Sequence, residues 1–143
     1  MSSPVKFIDY HILRINYCRN DTDMEKPIEG IIPDPEMEVR VNPDNKNEFI
    51  VKLVSKILPG KKSSDINCPV ELEFEAIGFF EIEGEIDEEE RNFHFGISAP
   101  SMLYGVIRTW VSQITAHSGY HSIMMPSVQF ADLGKGDVKE KDN

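Results

Sequence analysis

The sequence predicts an α+β fold, in which a four-stranded antiparallel sheet carries one long helix packed on one face. The chain has 143 residues, which suits a single domain with one hydrophobic core. Four segments in the first 84 residues alternate apolar and polar side chains without a helical pattern between them, which favours an antiparallel sheet. A later segment, near residue 100, places apolar residues at helical spacing. We therefore expect one domain over residues 1–133 and a charged, disordered tail over 134–143.

The first predicted strand, residues 5–19, changes its apolar side part-way along. Ile8, Tyr10 and Ile12 share one face of an extended chain, whereas Leu13, Ile15 and Tyr17 share the other. This switch indicates either a bulge near Ile12–Leu13 or a strand that is covered on both faces at different points. Residues 20–35 hold three prolines and are predicted to form a long loop, a kind of segment that is often functional. The loop is partly apolar through Met24, Ile28, Ile31 and Ile32.

The last predicted strand, residues 70–84, has apolar residues on both of its faces. The core face is expected to consist of Val70, Leu72, Phe74, Ala76, Phe80 and Ile82. The opposite face begins and ends with glutamates but contains Ile77 and Phe79 in its middle. Leaving either side chain in water forgoes ~1.5–3 kcal/mol of burial. We therefore expect the 20–35 loop, a sister subunit or another polypeptide to cover them.

Strands over residues 36–42 and 47–58 complete the predicted sheet, and the acidic run 85–91 is predicted to be a solvated loop. The long helix is predicted to begin near Ser98, with Pro100 in its first turn, and to end at Gly119. An apolar stripe at helical spacing is expected to pack on the sheet: Met102, Leu103, Val106, Ile107, Trp110, Val111 and Ile114.

The opposite side of this helix carries small residues, namely Gly105, Thr109, Ser112 and Ala116. A solvated face more often carries lysine and glutamate, whereas small side chains let another backbone approach closely. We therefore expect a subunit interface there. The alternative is an indifferent polar face.

Composition and charge exclude several classes of function. The formal net charge is −10 and no basic cluster interrupts it, so we expect no nucleic-acid partner. No apolar run is long enough to span a membrane and no secretory signal is recognisable, which predicts a cytoplasmic protein. Cys18 and Cys68 lie far apart without a CxxC pattern and are expected to be reduced thiols.

The sequence lacks the common motifs of catalysis and cofactor binding. It contains no GxGxxG, P-loop, HExxH or GxSxG pattern. His117 and His121 have the spacing of a metal pair, but Gly119 is expected to end the helix between them. The carboxylates lie on an exposed strand face and in a loop, whereas acid–base catalysis needs two of them in a pocket. We therefore expect no enzymatic activity, no cofactor and no metal site.

Three segments of the C-terminal half resemble the SecB export chaperone family. They are FEAIGFFEIEG (74–84), ISAPSMLYGVIRTWVSQITAHSG (97–119) and SIMMPSVQFADL (122–133). SecB proteins show a similar succession of a last strand ending in a glycine–aromatic–glycine element, a helix opened by a proline-containing segment, and a Pro–Val/Ile–x–Phe segment. Leu103–Arg108 and Pro126–Phe130 stand in the last two places.

The resemblance implies a dimer of dimers that holds unfolded polypeptides without ATP and, in the usual case, delivers them to the translocase ATPase SecA. It implies client grooves bordered by the loop after the first strand and by C-terminal elements. The client-binding residues expected on these grounds are Met24, Ile28, Ile31, Ile32, Ile77, Phe79, Met124, Met125 and Phe130. For the docking of SecA, the resemblance implies Glu73, with Glu71 beside it.

The sequence departs from the family pattern in two places. Arg14 and Cys18 stand where the family has docking acids, so a basic partner would meet half the expected charge. GKGDVKEKDN stands where SecB proteins usually have a second C-terminal helix, so a client groove would lose one wall. Some SecB-like proteins serve other clients, such as aggregation-prone antitoxins, which is a second role that the resemblance allows.

The leading prediction is therefore a holdase for unfolded or nascent polypeptides. The alternative is a small-ligand-binding α+β domain with an apolar pocket between helix and sheet, lined by Trp110, Phe74 and Phe80. These three aromatic residues would otherwise simply fill the core.

Overall fold

The computed structural model of the protein describes residues 4–19, 35–57 and 70–116, together with Met125 and residues 128–130. The side chains of Cys18, Arg19, Ile57, Val70 and Glu71 are outside that description. Four strands form one antiparallel sheet in the order β1-β4-β3-β2: β1 (Val5–Arg19), β2 (Glu36–Asn42), β3 (Asn45–Ile57) and β4 (Val70–Ile82). A short helix α1 (Glu88–Phe93), a π-helical turn (His94–Ser98) and the long helix α2 (Ala99–Ala116) follow.

The predicted α+β fold is confirmed, since α2 covers one face of this sheet. Residues 20–34 of the predicted loop and the predicted tail over 134–143 lie outside the described residues. The helix end predicted at Gly119 and the histidine pair around it also lie outside.

The central strand β4 provides the middle of the core. Its alternate residues Leu72, Phe74, Ala76, Phe80 and Ile82 are buried, as the alternation predicts. The ring of Phe80 is stacked between Phe7 of β1 and Phe49 of β3, with centroid distances of 4.7 and 5.4 Å. The glutamates of β4 therefore point to the face of the sheet opposite α2, which is called the outer face below.

Two bulges keep the apolar residues of β1 on the core side of the sheet. Register shifts between Phe7 and Asp9 and between Ile12 and Arg14 each insert one extra residue, Ile8 and Leu13. The core-facing residues of β1 are therefore Val5, Phe7, Tyr10, Ile12, Ile15 and Tyr17. The predicted bulge near Ile12–Leu13 is confirmed. The predicted grouping of Ile8 with Tyr10 and of Leu13 with Ile15 is wrong, because each extra residue reverses the alternation.

The helical region begins earlier than the sequence predicts. The prediction of a solvated loop over 85–91 is wrong, since α1 begins at Glu88 and a side-chain cap starts it. Asp87 Oδ1 accepts a hydrogen bond from the backbone N–H of Glu90 at 2.7 Å. Acidic residues in the first turn also suit the positive end of the helix dipole. Ser98, the predicted first cap, instead lies in the π-helical turn.

Helix α2 packs on the core through a narrower stripe than the sequence predicts. Leu103, Ile107 and Val111 are buried. Met102, Val106 and Ile114 are half-buried at the edges of the stripe. Trp110 is 39% exposed, so its predicted place in the core stripe is wrong. At about 100° per residue, Trp110 lies roughly 100° around the helix from Val111 and roughly 60° from Ile107, which places it beside the buried stripe.

The described part of the C-terminal segment is fastened to α2. Arg108 Nε donates a hydrogen bond to the carbonyl oxygen of Met125 at 2.9 Å. Phe130 meets Tyr104 edge-on, with ring centroids 5.8 Å apart. Both Met125 and Phe130 are buried in the core, and burial raises the pKa of Tyr104 to about 12.

Candidate functional site

A groove runs between the free edge of β1 and one side of α2. β1 is an edge strand, so its outer backbone groups have no neighbouring strand within the described chain. The groove has a volume of about 580 Å³. It is lined by Asp9, Tyr10, His11, Ile12, Ile15, Trp110 and Ile114. The Trp110 Nε1–H donates a hydrogen bond to the Tyr10 hydroxyl at 3.2 Å, which joins the two walls.

Large apolar side chains are exposed on β1 and in the groove. Ile8 is 57% and Leu13 is 52% exposed, because both are the extra residues of bulges. Trp110 is exposed in the groove itself. Apolar side chains at an open strand edge favour the binding of other polypeptides. The sequence prediction misses this site, although the switch of face inside β1 signals that some apolar residues must leave the core.

The outer face of the sheet has an apolar centre with charged surroundings. Ile77 and Phe79 of β4 lie beside Ile50 and Val54 of β3, and all four side chains are half-buried. They are called the outer-face patch below. His11 covers part of Phe79 through an edge contact, with ring centroids 5.5 Å apart. Side chains of the neighbouring strands therefore shield part of the apolar surface of Ile77 and Phe79 from solvent.

Ion pairs border the outer-face patch. Arg14 Nη1 lies 2.9 Å from Glu73 Oε1, and Lys52 Nζ lies 2.9 Å from Glu75 Oε1. The hydrogen bond and the charge of Glu73 raise the pKa of the Arg14 guanidinium above its ordinary value. Both glutamates are thus neutralised locally by cations of the two adjacent strands.

The side of α2 that faces away from the sheet is uncharged. The structure brings the predicted interface residues Gly105, Thr109, Ser112 and Ala116 together there, and none of them is buried. A methyl group at Gly105 would meet no atom within 4 Å. Arg108, the single charged residue of α2, is held by Met125. A helix without charges on its outward side is typical of one covered by another molecule.

The other predicted client-binding residues are not brought into one continuous site. Met125 and Phe130 lie in the core on the α2 side, whereas Ile77 and Phe79 lie on the outer face. The remaining predicted residues, Met24, Ile28, Ile31, Ile32 and Met124, lie outside the described residues. For docking, Glu73 is paired with Arg14, and the side chain of Glu71 lies outside the description.

The described residues contain no group of three or more His, Cys, Asp and Glu placed to hold a metal ion. The three aromatic residues of the alternative ligand pocket do not share a cavity in this part of the chain. Phe74 and Phe80 are buried in the core, whereas Trp110 lines the external groove. Over the same residues, no helix is both long and apolar enough to cross a bilayer.

Comparison with known proteins identifies the family. The model of the SecB family, described as preprotein translocase subunit SecB, matches residues 25–141. The chain belongs to the SecB family. This membership confirms the resemblance and supports a chaperone role.

Two curated proteins and one solved structure illustrate how far this SecB-family chain diverges. It is 27% identical over 139 residues to an uncharacterized protein of Methanocaldococcus jannaschii, an alignment that covers 96% of this chain and 88% of that protein. It is 26% identical over 116 residues to the protein-export protein SecB of Roseobacter denitrificans, covering 75% of this chain and 66% of that protein.

The solved structure is the Mycobacterium tuberculosis Rv1957 SecB-like chaperone in complex with a ChAD peptide from the Rv1956 HigA1 antitoxin. Its TM-score to this chain is 0.60 at 19% identity, and the superposition covers 88% of both chains. At this identity the likeness concerns the fold. The SecB-like sheet and helix therefore persist although most side chains have changed.

Proposed function

We propose that this protein is an ATP-independent holdase, which binds unfolded or nascent polypeptides through apolar surface and does not act as an enzyme. The observation that carries this proposal is the groove beside β1, with Trp110 exposed in it and Ile8 and Leu13 exposed on the same strand. The net charge of −10 favours solubility, whereas exposed apolar side chains oppose it, so we take these side chains as a binding surface. An extended client segment would pair with the free strand edge and bury its apolar side chains in the groove.

The acidic rim extends this proposal to the choice of client. The net charge of −10 favours apolar segments that also carry basic residues. We place the activity in the cytoplasm, with protein export or one dedicated client, such as an antitoxin, as the setting. Recovery of bound polypeptides from a lysate, followed by mass spectrometry, distinguishes a broad set of secretory precursors from a single dedicated client.

The test is suppression of aggregation. A chemically unfolded model protein is diluted into buffer with and without the purified chain, in the absence of ATP, and light scattering is followed. We expect scattering to fall as the chain is added. Undiminished scattering at several-fold excess of the chain would refute the holdase role.

Two matched variants test the exposed apolar side chains of β1. Leu13→Ser removes one of them from this edge strand, and Phe93→Ser removes one on α1 that is equally exposed, at 51%. Burial of a leucine side chain is worth ~1.5–3 kcal/mol, so we expect roughly tenfold weaker client binding for L13S and little change for F93S. Equal losses in both variants would contradict the assignment of client binding to the edge strand β1. Light scattering also gives the mass of each variant, and a lower mass for L13S would assign this strand edge to assembly between subunits instead.

The uncharged side of α2 supports assembly of the holdase into an oligomer, for which we propose a dimer of dimers. Gly105, Thr109, Ser112 and Ala116 form a surface of small side chains with open space above Gly105. Close packing of two such helices would bury backbone and methyl groups from both copies. A SecA-like partner would then meet the outer face of the sheet, where Glu71 and Glu73 remain the predicted docking residues.

A further inference from the structure

The glutamates of β4 form a row along the outer face of the sheet. Glu73, Glu75 and Glu81 project from the same side of the strand, since they alternate with its buried residues. In a chain with a net charge of −10, such a row would attract lysine-rich and arginine-rich polypeptides. The attraction depends on whether the carboxylates are open to the partner.

Cations of both neighbouring strands meet this row at one end. β4 lies between β1 and β3, so Arg14 reaches Glu73 from one side and Lys52 reaches Glu75 from the other, each at 2.9 Å. At the opposite end, Glu81 faces Glu48 of β3 on one side and Lys6 of β1 on the other, and Lys6 forms its ion pair with Glu83. The two ends of the outer face therefore pair their charges differently.

Exposure shows which partner of the Arg14–Glu73 pair meets the solvent. The side chain of Arg14 is 55% exposed, whereas that of Glu73 is 23% exposed. Arg14 is thus the more accessible partner of the pair, and an approaching molecule meets more of the cation than of the carboxylate. We propose that Arg14 is a specificity-determining residue, which by pairing with Glu73 closes this end of the outer face to basic polypeptide partners.

A double-mutant cycle separates this masking from an effect of net charge. The probe is fluorescently labelled dodecalysine, whose affinity is measured by anisotropy at low ionic strength, where surface charges act most strongly. Glu73→Gln is introduced into the wild type and into Arg14→Gln. If Arg14 masks Glu73, we expect E73Q to weaken binding less than twofold in the wild type and roughly fivefold in R14Q, the upper range for one exposed ion pair.

The chain offers a matched control in Arg40→Gln. Arg40 of β2 is 57% exposed and pairs with Glu38 at 3.0 Å, so this substitution changes the net charge and breaks a similar pair two strands away from Glu73. The effect of E73Q in R40Q should equal its effect in the wild type. The proposal is wrong if E73Q has the same effect in all three backgrounds, or if the wild type already loses fivefold. This inference does not rest on the holdase role. If the chain fails to suppress aggregation, the affinities for dodecalysine still decide whether Arg14 masks Glu73.

Discussion

Gly78 of β4 is a position at which one added methyl group would collide with the core. Gly78 lies on the buried side of the strand, opposite Val51 of β3. A methyl group built there stands 2.8 Å from Cε2 of Phe80 and 3.4 Å from Cδ1 of Leu103. The first distance is shorter than any ordinary carbon–carbon contact, so Phe80 has to move in Gly78→Ala.

The expected cost follows from how Phe80 is held. Its ring is stacked on Phe7 at 4.7 Å and on Phe49 at 5.4 Å, so a shift of the ring displaces its neighbours on both sides. Overpacking of this kind costs ~1–3 kcal/mol, which is a large part of a stability of ~5–15 kcal/mol. For a domain of this size, the midpoint of thermal unfolding should fall by roughly 3–10 °C.

The assay is urea unfolding of G78A and of the wild type at one protein concentration, with Asn92→Ala as the control. Asn92 is exposed on α1, and alanine is favoured over asparagine in a helix. We expect a lower urea midpoint for G78A and an unchanged or higher one for N92A. A change below ~0.5 kcal/mol in G78A, which is the range of neutral surface substitutions, would refute the argument from packing.

Substitutions at three further positions test other features of the structure. Gly105→Trp should lower the mass measured by light scattering while the circular dichroism spectrum is retained, and an unchanged mass would count against an interface on α2. Asp87→Ala should cost ~1 kcal/mol in urea unfolding through loss of the cap on α1, whereas Asp87→Asn should retain most of that stability. Because the folded state holds the pKa of Tyr104 at about 12, above its ordinary 10.0, its contribution to stability is complete below pH 10 and lost as the pH rises toward 12. Tyr104→Phe should remove that part of the pH dependence, and an identical alkaline slope in both proteins would show that Tyr104 does not cause it.

Local patterns of the sequence predict the elements that are amphipathic over many residues. The alternation of β4 places Phe74, Ala76 and Phe80 in the core, and all three are buried. The face switch in the first strand predicts the bulge near Leu13, because a strand of constant pairing cannot change its apolar side. The sequence also predicts which residues form the candidate interface on α2, since small residues at helical spacing share one side of any helix.

Predictions fail where a residue lies at the boundary of a pattern. Trp110 borders the apolar stripe of α2 in the sequence, yet it lies partly exposed in the groove beside β1. Asp87 lies in an acidic run typical of a loop, but its carboxylate caps α1. In both cases, the same local sequence is compatible with two environments.

The sequence by itself determined the fold class, the core face of β4 and the family, because these depend on periodicity and on the succession of elements along the chain. Only the tertiary structure decided which apolar residues stay in contact with water and which charges are free. Two bulges turn Ile8 and Leu13 outward, and strand pairing brings Arg14 onto Glu73, 59 positions away in the chain. Such contacts depend on register between distant segments, which no local pattern encodes.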